Sequence, residues 1–113
     1  MNRVLITGSS KGIGAKIAEI LAKDGYHVFL HGRDENALKN LAQKIGARGF
    51  FAIDLTSENA AQNLYDNAID TLGSIDILVN VTDNLIKHIN PVLHLKPFHL
   101  LVIQNGLLEQ FNL

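Results

Sequence analysis

Eight residues, Thr7-Gly8-Ser9-Ser10-Lys11-Gly12-Ile13-Gly14, lie between the apolar run Val4-Leu5-Ile6 and a helix-patterned segment beginning at Ala15. A strand, a glycine-rich turn and a helix in that order leave few folds open. The glycines let the backbone turn tightly and approach a bound group closely, while the helix that follows presents unpaired N–H groups and the positive end of its dipole. The pattern reads as a cradle for the phosphates of a dinucleotide. Glycine-rich turns also end strands for steric reasons alone. Here, however, a second apolar strand, His27 to Leu30, follows the helix, as a βαβ nucleotide-binding unit requires. A Walker-type phosphate loop is excluded, because Ile13 stands where that loop has its second glycine and no Gly-Lys-Ser/Thr follows.

Hydrophobic periodicity extends the alternation. Ile13, Ile17, Ile20 and Leu21 recur at helical spacing and predict a first helix with these residues as its core stripe, ending near Asp24-Gly25. Leu38, Leu41 and Ile45 predict a second helix that stops at Gly46, and Leu64, Ala68, Ile69 and Leu72 a third, capped in the region Thr56-Ser57-Glu58 and ended by Gly73. The apolar runs at Val4 to Ile6, Val28 to Leu30, Phe50 to Ile53 and Ile77 to Val79 suit a parallel sheet covered on both faces. The alternation predicts an α/β, doubly wound fold. After Asn80 the texture changes. Pro91 and Pro97 interrupt any helix; Phe98 to Ile103 fits either one more strand or a buried helical turn, and Leu107, Leu108 and Phe111 fit a short amphipathic end. His88, His94 and His99 lack an Asp, Glu or Cys at ligand spacing, so no metal site is expected.

With 113 residues, 47% of them hydrophobic, the chain is sized for one globular domain. It has no cysteine, which removes disulfides and thiolate chemistry. No apolar stretch is long enough to span a bilayer and no secretory pattern opens the chain, so a cytoplasmic location without membrane contact is expected. Residues 1–57 hold eight Lys/Arg against five Asp/Glu, and residues 58–113 two against six. The positive half is the half with the phosphate cradle. No basic cluster with aromatic interleaving occurs, so nucleic acid is not an expected partner.

The spacing Thr-Gly-x-x-x-Gly-x-Gly resembles the cofactor loop of the short-chain dehydrogenase/reductase family. Three further segments resemble the same family: His31-Gly32-Arg33, Ile53-Asp54-Leu55, and Asp76-Ile77-Leu78-Val79-Asn80 entering an Asn-Asn-Ala-Gly motif. The resemblance covers residues 2–85, and the opening together with Val81-Thr82-Asp83-Asn84-Leu85 is most similar to bacterial 3-oxoacyl-acyl carrier protein reductases. It implies a Rossmann-like sheet, here truncated after about four strands. Residues 1–85 would be the dinucleotide-binding βα units and 86–113 an atypical C-terminal segment of the same domain.

The resemblance also assigns roles. Gly8, Gly12 and Gly14 would admit the cofactor phosphates, Ser9 and Ser10 would donate hydroxyls to them, and Ile13 would pack close to the pyrophosphate. Arg33, and Lys11 in the loop, would pair with a 2′-phosphate and so select NADP(H); Asp34 is one residue late for the carboxylate that favours NAD. Arg33 also fits a surface residue at a helix start, and Lys11 a solvated loop cation. Asp54 and Leu55 would meet the adenine, although Asp54 also fits a helix cap. Asn80 would close the nicotinamide side, but Asn80-Val81-Thr82-Asp83 departs from the family pattern as though Asn-Ala-Gly were deleted.

Hydride transfer in this family relies on a Ser and a Tyr-x-x-x-Lys pair. Leu30 and Ile69 stand four residues after the two tyrosines, Tyr26 and Tyr65, so neither pair exists and no catalytic residue is assigned. The expected function is the NADP(H)-binding portion of a short-chain oxidoreductase that is inactive alone. The alternatives are a non-enzymatic nucleotide-binding or interaction protein, or a degenerate gene product. An open edge beside the fourth strand predicts self-association, unless Phe98 to Ile103 covers it.

Overall fold

The computed structural model describes residues 2–81, 99–104 and 107–112. Strands and helices alternate as β1 (Arg3–Thr7), α1 (Gly12–Lys23), β2 (His27–Gly32), α2 (Glu35–Ile45), β3 (Gly49–Ala52), α3 (Ala60–Leu72) and β4 (Ile77–Asn80), followed by β5 (His99–Gln104) and β6 (Leu107–Asn112). They form one sheet in the order β3-β2-β1-β4-β5-β6. Neighbours from β3 to β5 are parallel, whereas β6 returns antiparallel along β5. The order reverses between β1 and β4, and in a doubly wound sheet the crevice at the carboxyl ends of the strands there receives ligands.

Side chains alternate across each strand, so a continuous apolar run feeds two cores. Val4, Ile6, Val28, Leu30 and Val79 pack on one face under Ala18 of α1 and Leu38 of α2. Leu5, Phe29 and Leu78 pack on the other under Leu64, Ala68 and Leu72 of α3. Each such Val, Leu, Ile or Phe contributes about 1.5–3 kcal/mol by leaving water. Helix α2 ends at Gly46 as expected, and the glycine takes the left-handed conformation there (φ 71°).

The structure corrects two local expectations and decides between the alternatives of a third. First, α1 starts at Gly12, not Ala15, and its buried residues are Gly14 and Ala18. Ile13 and Ile20, read as part of a core stripe, are 53% and 50% exposed. Gly14 lies directly against the loop and Ala18 in the core, while Ile17 and Leu21 pack partly buried beside Ala18, so the buried face is turned away from Ile13 and Ile20. Second, α3 begins at Ala60 behind Asn59 rather than behind a Thr56–Glu58 cap, and the intervening turn is organised by Asp54. Third, residues 99–104 take the strand alternative, pairing in parallel along β4 with Leu78 opposite Leu100 and Asn80 opposite Val102. The β4 edge that motivated self-association is therefore covered, and β6 is the outermost described strand on that side. His88 and His94 lie outside the described residues.

Candidate nucleotide-binding site

Thr7, Gly32 and Asn80 end three adjacent strands, and the loop Gly8–Lys11 rises between them. Gly8 and Gly12 have φ of 64° and 63°, a left-handed conformation that costs other residues energy. Gly14 is needed for a different reason. A Cβ there would overlap the Gly8 carbonyl and sit 2.9 Å from Ser9 Cα. The loop thus folds directly onto the first turn of α1. Lys11 takes the N-cap position in extended backbone, its side chain makes no capping hydrogen bond, and the first turn holds no acidic residue. The N–H groups of that turn have no partner within the helix, and the dipole leaves partial positive charge there. Among the described residues, this end of α1 has the chemistry of an anion site. Lys11 and Ile13 are exposed beside it.

The two loop serines differ. Ser9 is buried: its N–H donates to the His31 carbonyl (2.7 Å), while its hydroxyl accepts from His31 N–H (3.0 Å) and has the Ile6 and His31 carbonyls at 3.0 and 3.1 Å. That hydroxyl is occupied in joining β1 to β2, which corrects its expected role as a phosphate donor. Ser10 is only half-buried, and a Cβ on Gly32 would come within 2.9 Å of its side chain. The glycine at the end of β2 therefore makes room for the loop.

Arg33 is exposed just past β2. Asp34 is the N-cap of α2, accepting from the Ala37 N–H at 3.1 Å, which fixes its carboxylate on the helix. Asp54, in the turn after β3, accepts from the Thr56 N–H (2.9 Å) and hydroxyl (2.7 Å). Leu55 turns into the core beneath α3, so its side chain is removed from the crevice and only its backbone remains near Asp54. Asn80 is buried and accepts from the Thr7 hydroxyl, with Thr7 and Asn80 directly opposite in the β1–β4 register. The Thr7 oxygen also accepts from the Val81 N–H at 3.3 Å. The gap read after Asn80 begins at Val81, and from Thr82 on lies outside the described residues.

One residue escaped the sequence reading as a site residue. His31, buried in β2, accepts from the Gly8 N–H at Nδ1 (3.1 Å) and approaches the Ile53 carbonyl through Nε2 (2.9 Å). Burial holds its pKa below the ordinary 6.5, against the backbone bond to Ile53 and the Asp54 carboxylate, which both favour the charged ring. A polar residue closing an otherwise apolar strand was the available signal. Among the described residues, no group of three or more His, Cys, Asp or Glu could hold a metal ion, and no helix is long and apolar enough to cross a membrane.

A parallel sheet whose order reverses beside a glycine loop and an uncapped helix defines a doubly wound, nucleotide-binding class of protein. Residues 2–95 match the short chain dehydrogenase family. The chain belongs to that family of oxidoreductases. It is 39% identical over 79 residues to a glycine betaine reductase of Emericella nidulans, an alignment covering 66% of this chain and 6% of that protein. It is similar in structure to a 3-ketoacyl-(acyl-carrier-protein) reductase from Brucella melitensis solved with NADH (TM-score 0.68, 31% identity, 73% of this chain and 34% of that one). A short chain dehydrogenase from Burkholderia cenocepacia solved with NADP is similar too (TM-score 0.66, 33% identity, 73% and 36%). The chain thus spans about a third of the length of either solved relative.

Proposed function

We propose that this chain is the NADP(H)-binding part of a short-chain oxidoreductase of the 3-oxoacyl-carrier-protein reductase kind, and that the 113 residues alone bind nucleotide without turning over substrate. The observation that carries the reading is the uncapped, acid-free start of α1 locked against the Gly8 loop by the Gly14 contact. The residues present fit a dinucleotide. The first-turn N–H groups and Ser10 would hold the pyrophosphate beside Ile13, Lys11 and Arg33 would pair with a 2′-phosphate, Asp54 and the Leu55 backbone would lie at the adenine, and Asn80 would lie toward the nicotinamide. Bound nicotinamide would supply a hydride donor or acceptor for a carbonyl or an alcohol. Residues 1–85 form the nucleotide unit in this reading and 86–113 an atypical C-terminal segment of the same domain, whose described strands β5 and β6 extend the sheet.

Binding without turnover follows from Leu30 and Ile69 at the positions where a Tyr-x-x-x-Lys pair would need lysine. That same observation favours the second reading, a nucleotide-binding protein that is not an enzyme. Calorimetry tests the first. NADPH should bind about tenfold or more tightly than NADH, as charge-assisted contacts to one extra phosphate imply. Equal affinities, or an unchanged preference in Arg33→Ala, would reject the two-cation account. Self-association is also part of the proposal, now through the outer edge of β6, whose outward backbone groups can pair with a second copy; sedimentation over a concentration series tests it. The reading extends to a cytoplasmic location, which cell fractionation tests.

A further inference from the structure

We propose that neutral His31 is the positioning residue that sets the shape of the nucleotide cradle, and that its protonation releases the loop and weakens nucleotide binding. The proposal rests on the nucleotide-binding reading above, but its geometry stands apart from it. The Ile53 carbonyl can only accept, so the proton must lie on Nε2; the Gly8 N–H can only donate, so Nδ1 must be bare. One neutral tautomer satisfies both. The backbone of the same residue exchanges hydrogen bonds with Ser9, N–H to Oγ at 3.0 Å and carbonyl to N–H at 2.7 Å. His31 thus holds the first two loop residues after β1 and ties them across β2 to the end of β3. The Gly8 carbonyl fixed by this arrangement is the group against which Gly14 packs.

A second proton on the ring would sit on Nδ1 and face the Gly8 N–H, leaving two part-buried donors opposed. Either the ring or the Gly8 peptide must then turn away. The groups around the ring do little to prevent its neutral state. The β1 side brings Thr7, Gly8, Ser9 and Ser10, none of which titrates in this range, and the β3 side brings Phe51, Ala52 and Ile53. The Asp54 carboxylate in the following turn is the charge that favours protonation, while Lys11 and Arg33 are exposed cations past the loop and the strand end. Burial outweighs Asp54, so the folded protein protonates His31 less readily than the unfolded chain does. The contribution to stability is therefore complete above the ordinary value of 6.5 and declines as pH falls below it.

The test uses the whole chain with NADPH as the probe, comparing wild type with His31→Asn. The amide oxygen of Asn can accept from the Gly8 N–H but does not titrate, and it gives up the bond to Ile53, so this variant should bind more weakly than wild type at about pH 7.5. The 2′-phosphate titrates in both proteins and cancels in the comparison. Between about pH 7.5 and 5, wild-type affinity should fall about fivefold to tenfold further than that of His31→Asn. Parallel pH profiles would overturn the proposal. If neither protein binds NADPH at any pH, the nucleotide reading fails and the His31 linkage is decided by NMR. The Gly8 amide proton should then move with the same midpoint as the His31 ring, and a Gly8 amide indifferent to that titration would overturn the proposal.

Discussion

Helices α1 and α2 follow parallel strands and pack on the same face of the sheet, yet they begin in opposite ways. At α2, Asp34 caps the Ala37 N–H and Glu35 adds a carboxylate to the first turn. That is an end finished for stability, with its dipole neutralised by the chain itself. At α1 a lysine stands in the cap position, its side chain makes no capping hydrogen bond, and the first turn holds no acid. Its orphan N–H groups and dipole are left for something outside the helix. The contrast sets a helix end that the chain neutralises itself against one that it leaves open, and it yields three predictions in falling order of effect.

The largest effect belongs to Gly14. In Gly14→Ala the new methyl meets the Gly8 carbonyl, so the variant should lose about 3 kcal/mol, read from denaturant midpoints, together with nucleotide binding. A variant of wild-type stability would show that α1 can lift away from the loop freely. Next comes the capped end. Asp34→Ala should cost about 1 kcal/mol of stability without weakening NADPH, because the carboxylate serves the helix and not the crevice. Weaker NADPH binding in that variant would erase the distinction between the two helix ends. The smallest effect is at the exposed pair Lys44–Glu19, which spans 3.9 Å between the two helices. Lys44→Ala should change stability by less than about 0.5 kcal/mol. A larger loss would mean that the helices are coupled through their surfaces as well as through the core.

The regular part of this architecture was legible because its signals are local. Continuous apolar runs marked four strands, Gly46 and Gly73 marked helix ends, and the spacing of Gly8, Gly12 and Gly14 marked the loop. What stayed hidden depends on partners distant in sequence. Ile13 and Ile20 fit a helical core stripe, but Gly14 faces the Gly8 loop and Ala18 the core with Ile17 and Leu21 beside it, which leaves Ile13 and Ile20 outward. The Ser9 hydroxyl could not be distinguished from that of Ser10 without the His31 backbone beside it, 22 positions away. Leu55 went into the core because the turn after β3 swings it beneath α3. The last two strands were obscured by Pro91 and Pro97, which removed the helical texture that announces a βα repeat.

The floor of the crevice is closed by a hydrogen bond between Thr7 and Asn80, 73 positions apart, and β1 lies between β2 and β4 in the sheet. The first strand made is therefore among the last to be finished. During synthesis β1 can pair with β2 early, but its other edge waits for residues 77–80, and closing so long a loop is the slow, entropically costly step in a parallel sheet. The glycine loop leaves from that late-completed strand. A nucleotide that recognises the closed floor binds the folded chain and not its precursors, so it draws the folding equilibrium toward completion in proportion to its concentration. Cofactor supply would then govern how much of the chain persists as well as how much of it is loaded.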